Sequence, residues 1–347
     1  MTSAERNWRM PAETVAQERV WMAYPVAGYS LGDTETEHEE ARATWAAVAH
    51  AVADFEPVTV IVDPGEISHA RRHLSSEITL VEAPLDDAWA RDIGPTFVLD
   101  ENGALGAVDW VFNGWGAADW ATWDSDQHIA TLIAELSGAE LVDSPMINEG
   151  GGIQVDGAGT VLLTETVQRG EGRNSTWTRE QVEAELARTI GTTTAIWLPR
   201  GLTRDNDTFG TRGHVDIVAA FPTPGTVLVH DQTDRGHPDH AVTAEIIELL
   251  SAATDAAGSV PAIVRVPAPR NLRDAGGFVD HSYINHLVVN GGVIACAFDD
   301  PSDAPAAEIL GAAYPGREVV TVDARPLFVR GGGIHCITCQ QPTRRYP

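Results

Sequence analysis

Short runs of apolar residues alternate along this chain with longer stretches in which apolar residues recur at helical spacing. Short Val- and Ile-rich runs are typical of strands, and a repeat of three to four residues is typical of helices. The predicted strands are 58–62, 78–81, 96–99, 161–164, 195–198, 227–229, 263–266, 293–297 and 319–322. The predicted helices are 35–55, 124–137, 178–190, 241–257 and 303–313, with a capping box formed by Thr178 and Gln181. The pattern indicates an α/β protein.

Segments rich in turn residues recur along the chain at intervals of about 50 to 70 residues. They are marked by Asp92, Glu149, His214, Tyr283 and Cys336. Strand and helix alternation ordinarily favours a doubly wound parallel sheet. Five similar intervals instead fit five ββαβ-like units around an axis, with the marked loops meeting at the centre. Since no Ser/Pro-rich linker interrupts the chain, we expect residues 1–347 to form one domain.

A cysteine follows three glycines and a histidine in residues 330–342, RGGGIHCITCQQP. Glycines let the backbone approach a ligand closely, and a cysteine beside them can serve as a nucleophile. A free cysteine is also commonly a small buried apolar residue. The segment therefore indicates a catalytic cysteine only if other groups in the chain would assist it.

Three further segments supply such groups. They are WARDIGP at 89–95, NEGGG at 148–152 and GHVD at 213–216. Taken singly, each acid could form a surface ion pair or cap a turn, and the histidine could be an ordinary buried polar group. Together they provide an acid/base and several carboxylates for a cysteine nucleophile. The surplus of carboxylates indicates a cationic substrate.

The motifs WARDIGP, NEGGGIQVDG, GHVD and GGGIHCITCQQP, in this order over nearly the whole chain, resemble those of the agmatine deiminases. These enzymes belong to the guanidine-modifying (pentein) superfamily and are related to bacterial-type peptidylarginine deiminases. The resemblance implies a fivefold pseudosymmetric α/β propeller. It also implies hydrolysis of agmatine to N-carbamoylputrescine and ammonia through a covalent cysteine thiouronium, in putrescine biosynthesis. Neither a metal nor an organic cofactor is implied.

The resemblance also implies a role for each matching residue. Cys336 matches the nucleophile, His214 the acid/base, and Glu149 the residue that orients and charges this histidine. Asp92 and Asp216 match the carboxylates that hold the guanidinium nitrogens, a pairing that suits a planar fork of donors. We predict that GHVD is an extended strand, in which alternation directs His214 and Asp216 to the same side.

The remainder of the expected substrate site is less closely defined by the motifs. Trp89 and Trp115 are candidate walls for an apolar tetramethylene chain, although each can equally be an ordinary core aromatic. Relatives commonly carry an acidic cluster just before GHVD, where this chain reads DNDTFGTR. Asp207 or Asp205 is therefore the candidate partner of the distal amine.

The chain departs from the family pattern in its cysteine segment. It has no Asn between Gly333 and Ile334, and Cys339 stands where relatives have glutamine. Cys336 and Cys339 thus form a CxxC, which also suits redox chemistry, a metal site, or a second thiol that protects the first. A redox CxxC is expected at a helix N-terminus early in a βαβ unit, and this one lies near the end of the chain.

Four other functions remain open from the sequence. A deiminase of free or peptidyl arginine would share the same core residues, as would an amidinotransferase that uses an amine in place of water. An arginine enzyme needs a cation facing the substrate carboxylate, for which Arg204, Arg212 and Arg273 are candidates. A noncatalytic guanidine or polyamine binder would use the carboxylates alone.

The acidic composition limits the choice of partners. A formal net charge of -27 argues against nucleic acid and anionic membrane surfaces and favours attraction of a small cationic guanidine. Three cysteines suit a reducing compartment, and the first 25 residues lack an apolar run long enough for export. We therefore expect a cytoplasmic protein, with a homodimer as the default oligomer.

Overall fold

The computed structural model describes residues 6–206 and 209–344 as strands arranged in small sheets with helices between them. The strands are β1 Gln17–Ala23, β2 Val58–Val62, β3 Thr79–Glu82, β4 Thr96–Leu99, β5 Leu105–Val111, β6 Glu140–Ile147, β7 Ile153–Val155, β8 Thr160–Thr164, β9 Thr194–Leu198, β10 Ala219–Thr223, β11 Thr226–Asp231, β12 Ala262–Pro267, β13 Arg273–Asp274, β14 Gly277–Phe278, β15 Leu287–Val289, β16 Gly292–Ala297, β17 Glu318–Asp323 and β18 Thr338–Pro342. The helices are α1 Glu35–Ala53, α2 Ile67–His73, α3 Ala90–Ile93, α4 Gly114–Ala117, α5 Ile129–Ser137, α6 Glu165–Gln168, α7 Arg179–Ile190, α8 Asp239–Ala252, α9 Asp303–Ala313 and α10 Arg325–Phe328.

One three-stranded pattern recurs in five sheets. The first strand pairs antiparallel with the second, and the second pairs parallel with the third, as in β7, β8 and β9. A helix, here α7, connects the second strand to the third. An antiparallel pair needs only a tight turn, whereas a parallel pair needs a long crossover connection. Each unit is therefore ββαβ, as the family resemblance implied and the motif spacing allowed.

The two ends of the chain complete the first unit together. β18 pairs antiparallel with β1, and β2 and β3 extend the same sheet by parallel pairing. The buried Trp21 indole also donates to Gln341 Oε1 at 2.9 Å. First strands of neighbouring units contact each other, β18 with β4 and β7 with β10. The predicted fivefold α/β arrangement is confirmed, while the single-domain organisation stays a prediction.

The predicted elements correspond closely to the observed ones. All nine predicted strands are present, and the capping box of Thr178 and Gln181 begins α7. Two helix bounds were wrong by five residues: α8 ends at Ala252 rather than at residue 257, and α5 begins at Ile129, after a 3₁₀ turn, rather than at residue 124. The pattern missed strands with mixed or few apolar residues, among them β1, β7 and β18.

The middle strands supply the buried centre of the units. All five residues of β8 are buried, since α7 covers this sheet and neighbouring units enclose it.

Within the described residues, no helix has both the length and the apolar character needed to cross a lipid bilayer.

Truncating the middle of β8 should destabilise the fold. Leu162 is fully buried, so Leu162→Ala leaves a cavity and should lower the free energy of unfolding by about 2 to 5 kcal/mol. Urea denaturation measures the change. Val260→Ala is the control, because Val260 is exposed and should change stability by about 0.5 kcal/mol or less. Equal effects of the two substitutions would contradict this view of the core.

Candidate active site

The motif residues lie in the loops that precede the first strand of each unit. Asp92 precedes β4, Glu149 precedes β7, His214 precedes β10, Asn285 precedes β15 and Cys336 precedes β18. Because the first strands of the units approach one another, these loops converge. The fivefold repeat thus brings together residues separated by long stretches of sequence.

Cys336 is buried and contacts polar groups from two other loops. Asn285 Nδ2 donates to Cys336 Sγ at 3.2 Å, and Sγ lies 3.5 Å from Asp216 Oδ2. Burial raises the pKa of the Cys336 thiol well above its ordinary value, and the charges of Asp216 and Asp92 raise it further. The free protein therefore holds Cys336 mainly as the thiol at neutral pH.

His214 is held by an ion pair that reaches across three loops. Its Nε2 lies 3.2 Å from Glu149 Oε2, and Arg173 Nε lies 3.0 Å from both oxygens of this carboxylate. Burial alone raises the pKa of Glu149, but Arg173 and His214 outweigh it and lower that pKa to about 2. Glu149 is therefore an ionised partner that fixes the orientation of the imidazole.

The same carboxylates control the charge of His214. Burial alone lowers its pKa, but Asp92 and Glu149 outweigh burial and raise the pKa to about 9. His214 is therefore protonated at neutral pH. Its Nδ1 lies 3.9 Å from Asp92 Oδ2 and has no hydrogen-bond partner within the described part of the chain. This nitrogen is positioned to give a proton to a bound molecule.

Each oxygen of Asp92 accepts a hydrogen bond from another loop. The Trp115 indole donates to Oδ2 at 2.9 Å, and the Gly151 backbone N–H donates to Oδ1 at 3.0 Å. Burial raises the pKa of Asp92, whereas the charge of His214 opposes that effect. Trp115 therefore positions a carboxylate in addition to contributing a wall.

The two oxygens of Asp216 have different surroundings. Oδ2 lies 2.8 Å from His335 Nδ1, whereas the buried Oδ1 has no hydrogen-bond partner among residues 6–206 and 209–344. Burial alone would raise the pKa of Asp216, but His335 outweighs it and the net pKa is lowered. Asp216 is thus an ionised carboxylate with a free buried acceptor.

The GHVD segment is not the strand that we predicted. His214 precedes a 3₁₀ turn formed by Val215–Ile217. The reason is Asp205, whose side chain accepts hydrogen bonds from the backbone N–H groups of Thr211, Gly213 and His214. This cap shapes a tight loop, in which Asp216 contacts Cys336 and His214 lies beside Asp92. Asp205 is therefore occupied by the backbone, and Asp207 lies outside the described residues.

The glycines of two motifs are explained by close contacts. A Cβ on Gly151 would lie 2.5 Å from His214 Nδ1, and a Cβ on Gly332 would lie 2.6 Å from Trp89 and 3.0 Å from Cys336 Sγ. A Cβ on Gly333 would lie 2.4 Å from Asn285 Oδ1. Side chains at these positions would displace the reactive groups themselves.

Aromatic side chains enclose the pocket above Cys336. Both predicted walls, Trp89 and Trp115, line it, and Trp120 and Phe209 join them. Trp120 stacks on Trp115, and Tyr29 stacks on Phe209 at 4.6 Å between ring centroids. These contacts make a narrow apolar channel that suits a slender alkyl chain.

Sequence reasoning missed the partners that hold the predicted residues. Arg173, Asn285 and His335 contact Glu149, Cys336 and Asp216 respectively, and Glu13 contacts His335. Some signal was available, because Asn285 follows the segment marked by Tyr283, and His335 precedes the nucleophile. Tyr283 itself donates to Asp303 at 2.6 Å and lies away from the pocket.

The second cysteine of the CxxC faces a different part of the molecule. Cys339 lies in β18, where its thiol donates to the Pro95 carbonyl at 3.3 Å. Burial raises its pKa to about 11. Cys336, Cys339 and Cys296 are all free thiols, and the described residues contain no cluster of three or more His, Cys, Asp or Glu with metal-ligand geometry. The contacts thus favour a packing role for Cys339.

Adding a methyl group at Gly151 should reduce turnover much more than stability. Gly151→Ala would displace His214 or Asp92, and a misplacement of about 1 Å can cost roughly 100-fold in rate. Steady-state kinetics of guanidine hydrolysis measures the change. Gly311→Ala is the control, because its Cβ would meet only Val319 at 3.6 Å. Normal turnover by Gly151→Ala would contradict this geometry.

The reactivity of Cys336 toward an alkylating reagent should be low at neutral pH and rise with pH. The thiolate is the nucleophile, and burial together with Asp216 and Asp92 disfavours it. We expect the iodoacetamide rate to rise about tenfold per pH unit below the thiol pKa. Cys296→Ser/Cys339→Ser is the background, and Asp216→Asn should speed the reaction at about pH 8. A rate independent of pH would contradict the raised pKa.

Comparison with known proteins agrees with this geometry. Residues 9–342 match the model of the family described as Porphyromonas-type peptidyl-arginine deiminase. A Streptomyces coelicolor protein named "Putative agmatine deiminase" is 56% identical over 337 residues, covering 97% of this chain and 99% of its own. The agmatine deiminase of Pseudomonas putida is 38% identical, covering 97% and 96%. The agmatine deiminase structure from Enterococcus faecalis is 32% identical with a TM-score of 0.91, covering 98% and 97%. This chain therefore belongs to the Porphyromonas-type peptidyl-arginine deiminase family and has its fivefold α/β propeller (pentein) fold.

Proposed function

We propose that this protein is a hydrolase that converts agmatine and water to N-carbamoylputrescine and ammonia. The observation that carries the proposal is one buried cluster of contacting side chains that contains Cys336, His214 and the carboxylates Asp92 and Asp216. Relatives that match nearly the whole chain are named agmatine deiminases. A deiminase needs this set of a nucleophile, a proton donor and groups that hold a cation.

Asp92 and Asp216 bind the guanidinium of the substrate. Asp216 Oδ1 is a buried acceptor without a partner in the described chain, and Asp92 Oδ2 lies 3.9 Å from His214 Nδ1. Carboxylates pair with the planar N–H fork of a guanidinium through charge-assisted hydrogen bonds. Binding of the cation also lowers the pKa of the Cys336 thiol, because an opposite charge favours the thiolate.

The first half of the reaction forms the covalent intermediate. The bound cation favours ionisation of the Cys336 thiol, whose proton passes to solvent. The thiolate then attacks the guanidinium carbon, so that an S–C bond forms and the carbon becomes tetrahedral. Protonated His214 gives its proton to one nitrogen, the C–N bond breaks, and ammonia leaves. The raised pKa of His214 suits this step, since the imidazole must begin protonated. The product of this half is a cysteine thiouronium.

The second half of the reaction hydrolyses the thiouronium and restores the free enzyme. His214, now neutral, takes a proton from water while the water oxygen attacks the thiouronium carbon. The C–S bond then breaks and restores the Cys336 thiolate, the remaining hydroxyl proton passes to solvent, and the neutral ureido product leaves. Glu149 with Arg173 keeps the imidazole oriented through both steps. One histidine thus serves as acid and then as base.

The pairing of the candidate arginines favours agmatine over arginine. Arg204 binds Asp274, Arg212 donates to the Glu171 carbonyl, and Arg273 lies over the Phe278 ring. Arg330 lines the pocket but is bound by Glu40 and three carbonyls. Among the described residues, the pocket therefore offers no unpaired arginine to a substrate carboxylate.

The remaining parts of the proposal concern the far end of the substrate and its setting. Trp89 and Trp115 would pack against the tetramethylene chain, and Asp207 is our candidate partner for the distal ammonium. A small cationic guanidine is the proposed partner, with putrescine biosynthesis in the cytoplasm as its setting. We further propose a homodimer, the commonest symmetric assembly.

The direct test is ammonia release and ureido-product formation from agmatine, arginine and a peptidyl arginine, measured side by side. We expect agmatine to be turned over at least about 100-fold faster, as kcat/KM, than the other two, since a buried carboxylate without a partner costs several kcal/mol. Cys336→Ala is the blank and should abolish turnover.

Other outcomes would identify the alternatives. Preferred turnover of arginine or the peptide would keep the mechanism and overturn the substrate assignment. Transfer of the amidino group to an added amine, without ammonia release, would indicate an amidinotransferase. Tight binding of agmatine without turnover, unchanged in Cys336→Ala, would indicate a noncatalytic binder.

A further inference from the structure

A buried histidine next to the nucleophile bridges two carboxylates. His335 Nδ1 lies 2.8 Å from Asp216 Oδ2, and His335 Nε2 lies 2.8 Å from Glu13 Oε1. The His335 side chain is 2% exposed. None of the mechanistic steps above uses His335 or Glu13. His335 nevertheless contacts Asp216, the carboxylate proposed to hold the substrate, and Glu13 contacts His335. Both residues can therefore influence substrate binding.

The hydrogen-bond geometry determines the charge of His335. An ionised carboxylate only accepts hydrogen bonds, whereas a neutral imidazole has one donor and one acceptor nitrogen. Both ring nitrogens must therefore donate, which requires the imidazolium form. The pKa values agree: burial raises that of Glu13 but His335 outweighs it and brings it to about 2, while burial lowers that of His335 but Glu13 and Asp216 outweigh it and raise it.

The imidazolium accounts for the state of Asp216. It occupies Oδ2, which leaves Oδ1 as the oxygen available to a bound cation. It also supplies a positive charge beside a carboxylate that shares the pocket with Asp92. Without that charge, burial and the neighbouring carboxylate would favour the protonated form of Asp216.

Glu13 ties this arrangement to the N-terminal segment that precedes β1. Gln17 Nε2 donates to the Glu13 carbonyl at 2.8 Å, and Arg91 Nη1 lies 4.0 Å from Glu13 Oε1. Arg91 Nε also donates to the His335 carbonyl at 3.3 Å. The segment thus reaches the active-site loops through a charged side chain.

We propose that Glu13 and His335 form a positioning pair that keeps Asp216 ionised and turned with Oδ1 toward the substrate guanidinium. The inference rests on the proposed function, because it assigns Asp216 to a guanidinium. The charged groups that act on His335 are Glu13, Asp216, Arg91 and His286, and those that act on Asp216 include His214 and Asp92. Removing the imidazolium should therefore make guanidinium binding depend on pH.

The test measures agmatine affinity by calorimetry in a Cys336→Ala background, which removes turnover and the thiol titration. His335→Asn keeps an N–H donor near Asp216 but removes the positive charge. We compare the Kd of this variant with the Kd of the background at each pH. The ratio of the two should be at least about tenfold larger near pH 6 than near pH 8.5, because one pKa unit corresponds to a tenfold change. Affinity should recover as pH rises, since Asp216 then ionises.

A purely structural role for His335 predicts a different result. It would lower affinity by the same factor at every pH, and that outcome would overturn the positioning role while leaving the proposed function intact. Absence of agmatine binding to Cys336→Ala itself, at any pH, would overturn both. His240→Asn is the matched control, because His240 lies on α8, away from the pocket, where it contacts the Gln232 carbonyl.

A second variant keeps the test independent of the folding of His335→Asn. Glu13→Gln preserves an acceptor for His335 Nε2 but removes the negative charge that favours the imidazolium. It should shift the affinity profile in the same direction by a smaller factor. Thermal unfolding identifies any variant that fails to fold, and a Glu13→Gln profile parallel to the background would then overturn the proposal.

Discussion

The active site depends on keeping several carboxylates ionised inside one buried pocket. A lone buried charge is expensive, and neighbouring carboxylates repel one another. The protein meets this constraint with buried cations: Arg173 binds Glu149, and His335 lies between Asp216 and Glu13. Asp216 thereby keeps its charge, and its Oδ1 is left available to a substrate. A dicationic guanidine fits a pocket prepared in this way.

The propeller supplies the geometry for these pairs. Each loop before a first strand carries one or two polar side chains, and neighbouring loops provide their partners. The cysteine segment before β18 is bonded directly to the Asp92 loop, because the Arg91 backbone N–H donates to the Cys336 carbonyl at 3.0 Å. Pairing of β18 with β1 therefore sets the nucleophile against the Asp92 loop. A defect in ring closure would disturb the catalytic residues as well as the core.

Low reactivity in the free protein is a consequence of the same design. The carboxylates that attract a guanidinium also disfavour the Cys336 thiolate, so the substrate cation itself offsets the penalty. The aromatic channel of Trp89, Trp115 and Trp120 adds a steric filter in front of the thiol. The charge of the carboxylates and the shape of the aromatic channel thus both act on the substrate, and neither effect requires a change in Cys336 itself.

The sequence by itself determined the fold class and the chemical groups of the site. Apolar runs predicted the strands of the unit interiors. The family resemblance implied the fivefold repeat, and the motif spacing agreed with it. The motifs also supplied Cys336, His214, Glu149, Asp92 and Asp216. Local pattern failed at GHVD, because the hydrogen bonds of Asp205 outweighed the tendency toward a strand. It also missed β7 and β18, which have too few apolar residues to signal a strand.

Only the tertiary structure decided how those groups are charged and held. Glu13 and His335 are separated by 322 positions in the chain, yet they share a hydrogen bond. Similarly, the structure turned Cys339 away from the nucleophile and paired the candidate arginines with other groups. The physical reason is that burial and charge pairing depend on distances in space, whereas sequence pattern records only neighbours along the chain.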